Sequence, residues 1–536
     1  MKKRKVISLL MLGVLTGSLF LSACGSSDTS DSTSSDSEST DSSSSGTLVS
    51  SGDDITIGIP KLTESFDFYN TTNGYESYSM TQVYDSLVEK DEDGQITGSL
   101  AESYEVSDDG TVYTFYLHEG VLFSDGTELK ASDVVYSMNC AIESAYTSWI
   151  YEPLVESCTA LDDYTVEIVL VKGSISFLDY LSNINYFAVL SEAAVTEMGD
   201  EYGTSVDTIV GTGAYIVTDW KSGEYIDYEA NENYFKGEPS IKNIRLKYLS
   251  DSSTAMIALQ TGEIAAYFDD VPGVSYEDIS SASNLEVVDY ASTVYFEIIM
   301  NCETGIFADA EVRQAVAMAV NRESMMIVGT EGYGEVADYP GDRSGYTEGD
   351  PELEDVWYEV DTEAAAAIIE EKGLTGTTVT IKTYADDPYP ALATILQDAL
   401  STIGFDAEVL QMERSALIDE VMEKGDYEIG IVRWAAGTTD MDEIWYGSLD
   451  TDSIGSSGNW SWYSNADLDT ILEEAGSETD SDARKALYEE AIAIFLEDVP
   501  QIPLYYPNGS RAYNAGLTIA DGLVEYNKFF DYSYAE

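Results

Sequence analysis

The sequence predicts an α/β protein with more than one lobe, on three observations. Between about residues 361 and 497, helical patterns at 361–371, 391–403, 414–424 and 481–497 alternate with β-rich runs at 377–384 (TTVTIKTY), 405–410 and 427–432. Alternation of this kind builds a sheet covered by helices. The body from residue 51 onward is about 490 residues long, more than one core holds, so it divides. After Pro500 the run 502–506 is expected to cross back to the first lobe. A chain that crosses between lobes more than once makes a hinge, and a hinge permits closure over a ligand.

Residues 1–23 carry a basic tip (Lys2, Lys3, Arg4, Lys5) and a short apolar run, which leads into Leu21-Ser22-Ala23-Cys24. The run is short for a membrane span and is followed at once by small residues, as in a cleaved export leader. The LSAC motif implies cleavage before Cys24 and lipid attachment to its thiol. Residues 25–50 are half serine and contain no aromatic. Such a segment cannot bury enough surface to offset the entropy of ordering. With Cys24 it is a tether, 24–50, with a reach of roughly 30 Å as a flexible coil.

Charge narrows the partners. The formal net charge is −74, from 99 acidic and 25 basic residues, and loss of the leader's four basic side chains takes the mature chain to −78. This surface repels phosphate backbones and anionic headgroups, which excludes nucleic acid and leaves the lipid alone to hold the protein at a membrane. Beyond Cys24 three cysteines remain. Cys140 and Cys158 fall in one predicted domain and are candidates to pair in an oxidising envelope, leaving Cys302 over; the alternative is three buried small residues. No Cys or His spacing suggests a metal, and no cofactor is expected.

Along the body, a first strand at 55–59 (ITIGI) leads through a loop at 63–74 to a helix around 76–87. The stretch 100–138 reads as strand, turn, strand, turn, helix. Ser107-Asp108-Asp109-Gly110 is a turn cluster, and Val112–Leu117 (VYTFYL) has the β-branched and aromatic content of a half-buried strand. After a second turn at Ser124-Asp125-Gly126, Ser132 or Asp133 caps a helix whose Val134, Val135, Met138, Ala141 and Ile142 share a face. DWKSGEYIDYEANENYF then reads as a hairpin, and TAMIALQTGEIAAYF as a helix ending at Gly262 before a strand. A third segment opens near Val294. In it, Asp309 caps a helix with a core-facing stripe of Val312, Ala315, Val316, Ala319 and Val320.

The wording of these blocks carries a resemblance. LAESYEVSDDGTVYTFYL and GVLFSDGTELKASDVVYS, with VYDSLVE at 83–89, VGTGAYIVTDW at 210–220, ANENYFKGEPSIKNIRLKYLSDSSTAMIALQTGEI at 230–264 and FADAEVRQAVAMAVNRESM at 307–325, follow one family's order. They resemble the family 5 extracellular solute-binding proteins, the dipeptide- and oligopeptide-binding components of ABC importers. The resemblance covers essentially the whole mature chain. It implies a two-lobed, periplasmic-binding-protein-like α/β clamp of type II, cluster C style, with an extra domain II and a discontinuous first lobe. Domain I would take 51–88, 209–293 and 505–536, domain II 89–208, and domain III 294–504.

The same resemblance points to a site. In RWAAGTTDMDEIWY, residues 433–446, the family typically has a tryptophan, two small residues and an aspartate, with further acidic residues after it. Trp434, Asp440 and Asp442 match, but Gly437 stands where that aspartate would pair with a peptide's α-ammonium. An ammonium enclosed without a counter-charge would incur several kcal/mol of desolvation. Either Asp440 or Asp442 substitutes, or the ligand is uncharged at that end; the other reading of the two aspartates is as caps of a turn or helix start. Tyr75, Tyr146, Trp149, Tyr295, Trp434 and Tyr505 lie at or beside positions facing the cleft in relatives, and aromatic walls suit peptide side chains and sugar rings alike. The expected ligand-binding set is therefore these six with Arg433, Ala436, Gly437 and Asp440.

Enzymatic readings find less support. The single histidine, His118, lies in the YTFYLHEG strand with no serine or cysteine elbow near it, and VGTGAY lacks a third glycine and reads as a turn. Counting alone leaves a two-carboxylate glycosidase open, and with 99 acids any carboxylate pair is uninformative. The expectation is a monomeric receptor, not an enzyme. It would be lipid-anchored at the outer face of a bacterial cytoplasmic membrane and would deliver di- or oligopeptides to a permease and its ATPase. An oligosaccharide receptor on the same scaffold is the alternative, and an acidic envelope hydrolase the rival from another class.

Overall fold

The computed structural model describes residues 54–71, 77–91, 95–107, 109–342, 353, 355–436, 440–455, 458–478, 480–519 and 528–534. The leader, Cys24 and the tether lie outside the described residues, as do Tyr75 and Gly437.

A mixed 12-stranded sheet runs through the body. From one edge its order is Asp406–Met412, Thr378–Tyr384, Ile429–Ala435, Val294–Met300, Gln501–Asn514, Ala266–Tyr267, Asp54–Ile59, Asn243–Tyr248, Tyr225–Ala230 and Tyr215–Lys221, with Leu285–Ala291 and Gly334–Val336 also pairing to the Gln501–Asn514 strand. That strand is 14 residues long and serves both halves. Ile502 lies opposite Ile298, whereas Ala512 lies opposite Val287 and Tyr267. Its side chains divide accordingly: Leu504 belongs to a core built from residues 295–506, and Tyr513 to one built from residues 55–268 and 513–532.

Strands covered on both faces read as continuous apolar runs. Val294–Met300 (VYFEIIM) is buried at every position but its first. The separate four-stranded antiparallel sheet, ordered Ala101–Val106, Val112–Leu117, Thr165–Leu170 and Val155–Asp162, instead shows period-2 alternation, burying Tyr113, Phe115 and Leu117 while Tyr116 is exposed. The helices Ala310–Ala319, Thr362–Glu371, Tyr389–Thr402 and Ser481–Asp498 lie where periodicity predicts them, and Asp309 caps the first by accepting from the Glu311 N–H at 3.0 Å. The expected 414–424 helix starts as Arg414–Ile418 and widens into a π turn, Asp419–Glu423.

Two local expectations need correction. The helix expected at 76–87 is a single turn, Ser77–Met80. Beyond it the backbone is claimed by tertiary partners: Tyr215 N–H donates to the Gln82 carbonyl, Gly213 N–H to Val83, and Ala101 N–H to Leu87. The helix expected to be capped by Ser132 or Asp133 begins earlier, as Ala131–Glu143 after Lys130. Asp133 sits in its first turn, where its carboxylate accepts from the N–H groups of Lys130 and Glu192. Cys140, Cys158 and Cys302 are all free thiols, and burial pushes those of Cys158 and Cys302 up to about 12.

Glu297 breaks the apolar run of its strand. It is 1% exposed, lies between Val432 and Pro503 on the flanking strands, and accepts from the Tyr295 hydroxyl at 3.4 Å. Burial pushes its carboxyl from 4.5 to about 8, against the lowering influence of Tyr295. Between those two values the folded chain holds a proton that the unfolded chain has released, so stability falls as pH rises through this window. Glu297→Gln is expected to flatten that slope and to raise the urea midpoint above pH 8. An unchanged slope between pH 5 and 8.5 would reject the assignment.

Candidate functional site

Residues from 145–186 and 434–476 line an open cleft of about 540 Å³. On one side the short helix Ser148–Leu154 holds out Trp149, 46% exposed, whose Nε1 donates to the Tyr146 carbonyl at 3.1 Å. Tyr180 and Tyr186 meet Trp149 edge-on, with ring centroids 6.3 and 5.9 Å from it. The opposite side is the end of the Ile429–Ala435 strand and one face of the helix Met441–Leu449. Asp442, Glu443, Tyr446 and Gly447 all line the cavity, a spacing that puts them on a single helical face. The two sides touch where Ile175 N–H donates to the Gly476 carbonyl and the Tyr186 hydroxyl to Glu443 Oε1, both at 3.4 Å.

Trp434 sits in a slot that two glycines leave open. A Cβ on Gly447 would lie 3.0 Å from the indole, and one on Gly458 only 1.9 Å from it, so a side chain at Gly458 would displace the ring from the cavity wall. Close approach explains Gly447, and at Gly458 a φ of +149° adds to it.

Asp440 begins the Met441–Leu449 helix. Its Oδ1 accepts from the Asp442 N–H at 2.8 Å, and its two oxygens take Nη1 and Nη2 of Arg484, each at 2.7 Å. Arg484 is fully buried, and its Nε donates to the Ala475 carbonyl. Asp440 thus both caps the helix and holds a bidentate pair with Arg484, which is the capping role expected of it. Asp442 differs. Its carboxylate packs against Gly476, where a Cβ would lie 2.7 Å from Oδ1. Burial pushes its carboxyl up to about 6, Asp440 adds in the same direction, and Arg484 and Lys172 pull it back.

The other expected site residues scatter. Tyr295 is buried in the sheet, donating to Glu297 and accepting from Gln501 Nε2 at 3.1 Å. Tyr505 is equally buried, stacked on Phe296 at 4.8 Å. Both lie on central strands with a neighbour on each side, which turns their rings into core, and neither lines the cavity. Ala436 is buried, its carbonyl accepting from Thr293 Oγ1, while Arg433 is exposed on the strand opposite Phe296. Tyr146 is 41% exposed beside Trp149. His118 packs against Phe235, away from the cavity. Sequence reasoning did not single out Lys172, Tyr180, Tyr186, Glu443 or Tyr446. The helical spacing of 442, 443, 446 and 447 was available as a signal for two of them; the 172–186 segment offers no motif. Among the described residues no group of three or more His, Cys, Asp or Glu is arranged to hold a metal ion.

Known proteins share both sequence and fold. The profile of the bacterial extracellular solute-binding proteins, family 5 (middle region), matches residues 95–456. The oligopeptide-binding protein AppA of Bacillus subtilis (strain 168) is 28% identical over 541 residues, covering 96% of each chain. The solved structure of B. subtilis AppA in complex with a nonapeptide aligns with a TM-score of 0.72 at 26% identity, covering 90% of this chain and 99% of that one. The Helicobacter pylori periplasmic binding protein DppA, solved with the peptide STSA, aligns with a TM-score of 0.76 at 24% identity, covering 90% and 98%, a likeness of fold. With the type II periplasmic-binding α/β architecture and a family profile matching 362 residues, the chain belongs to the family 5 bacterial extracellular solute-binding proteins.

Proposed function

We propose that the chain is the ligand-capturing component of an ABC importer of peptides, monomeric and held by lipid on Cys24 at the outer face of the cytoplasmic membrane. The observation that carries this reading is the aromatic cavity between two sequence-distant segments, with Trp149 on one side and Trp434 on the other. In this reading domain I (51–88, 209–293, 505–536) and domain III (294–504) form the lobes, and domain II (89–208) brings the Trp149 wall. Closure is driven only by the ligand's greater affinity for the closed form. AppA with its nonapeptide and DppA with STSA favour a peptide over an oligosaccharide. The chain's role is capture without turnover, followed by hand-over to a permease and its ATPase.

Native mass spectrometry of the full chain purified from its host membrane tests this. The expected result is a population carrying peptide masses that leave intact when the protein is denatured. Sugar masses, or peptides cleaved during incubation, would overturn the reading.

A further inference from the structure

We infer that Lys172 is a catch between the two lobes of the clamp: it stands over the acidic face that carries Asp442 and Tyr446 and holds a closed population in the absence of ligand. The inference rests on the two-lobe reading and not on the nature of the cargo.

The two cores define the lobes. Phe177, Tyr180 and Phe187 pack in the core that holds residues 55–268, whereas Met441, Trp445, Leu472 and Ala475 pack in the core of residues 295–506. The segment 172–186 therefore belongs to one lobe and the helices Met441–Leu449 and Ala466–Ser477 to the other, so contacts between them cross the cleft. Ile175 N–H donates to the Gly476 carbonyl and the Tyr186 hydroxyl to Glu443, each at 3.4 Å, and the Lys172 Nζ stands 5.8 Å from the Tyr446 ring. Both hydrogen bonds are long, so they hold the lobes weakly. Charge supplies the rest. The 441–476 side presents Asp442, Glu443 and Glu473 to the cleft, and Asp450 and Asp452 act on the same Tyr446. Among the described residues Lys172 is the one basic side chain lining the cleft. It is exposed, and from the opposite lobe it joins Arg484 in lowering the Asp442 carboxyl against burial. Opening carries Lys172 away from these acids, which leaves that face with its negative charge unanswered from across the cleft. The closed form is thus favoured by an attraction that salt screens. A ligand still shifts the equilibrium by its own differential affinity. Lys172 sets the ratio from which that shift starts, and a larger closed fraction reduces the affinity lost to selecting it.

Amide hydrogen exchange of the full chain without ligand, resolved at Ile175, reads the opening directly. Lys172→Met is expected to speed exchange there roughly two- to fivefold, the scale of an exposed ion pair. Lys172→Arg should keep wild-type protection, and Lys172→Glu should speed exchange further. Raising NaCl to about 1 M should bring the wild type to the level of Lys172→Met. In an Asp442→Asn background the effect of Lys172→Met should shrink, because part of the charge it answers is gone. Persistence of the full effect there would mean a local loosening of the 172–176 loop and would overturn the catch. Amides of Val294–Met300 report that each variant is folded. Ile175 exchanging no faster than those core amides, in wild type and variants alike, would remove the two-lobe reading and the catch with it. Faster exchange at Ile175 that is indifferent to Lys172→Met and Lys172→Glu would leave the clamp standing and overturn the catch alone.

Discussion

Arg484→Met is expected to lower the free energy of unfolding by about 3–5 kcal/mol, because it strands the Asp440 carboxylate in a site built for a bidentate partner. Arg484 is 0% and Asp440 12% exposed at the side chain, so water screens the pair little. The arginine also donates to the Ala475 carbonyl and to the Tyr488 hydroxyl, and both lose a donor in the variant. Stability here is tied to function by position: Asp440 starts the helix that carries Asp442, Glu443 and Tyr446 to the cavity. Asp440→Asn keeps a good helix cap while removing the charge. The double variant Arg484→Met/Asp440→Asn should therefore recover most of the loss in a urea titration, since replacing both members of a buried pair is often near neutral. A single-variant loss below about 1 kcal/mol, the scale of an exposed pair, would mean that Asp440 is solvated in solution.

That pair shows where the sequence stops being legible. Periodic features read directly: the stripe from Val312 to Val320 and the alternation of Val112–Leu117 depend only on neighbours a few residues away. Local signals also located Asp440 as a candidate cap, because capping is a matter of two or three residues. What no local pattern contains is the partner. Arg484 lies 44 positions from Asp440, and the tertiary claim on the backbone of 82–87 that cuts short the expected helix comes from residues 101, 213 and 215. The aromatic positions failed for the same reason in reverse. Tyr295 and Trp434 face each other in register on adjacent strands, yet one ring lies wholly in the core and the other lines the cavity. The glycines at 447 and 458, distant from Trp434 in sequence, leave the second ring room there.

Lys528→Met is expected to cost a similar 3–5 kcal/mol at neutral pH, again by leaving a buried carboxylate short of its cation. Lys528 reaches back 443 positions to Asp85, 1% exposed, at 2.9 Å, and to Glu89 at 3.3 Å. Asp85 also accepts from Thr212 Oγ1 and the Tyr234 hydroxyl, and Lys236 stays nearby but pairs with Glu89 at 2.5 Å. Burial alone would raise the Asp85 carboxyl; Lys528 and Lys236 outweigh it and hold the group below its usual 3.8. In the wild type this contribution is therefore present above that value and is lost as pH falls through the folded one. Without Lys528 burial regains the upper hand, the folded carboxyl titrates higher, and the variant loses stability as pH rises. The difference between the two proteins should accordingly be largest at pH 7, shrink as pH falls through the variant's raised carboxyl, and vanish only below the wild type's depressed one, where Asp85 is protonated in both. Denaturant midpoints across that range measure it, with Lys528→Met/Asp85→Asn expected to restore most of the loss at pH 7. A deficit that stayed constant from pH 3 to 7 would show that Lys528 acts through its aliphatic packing and not through its charge.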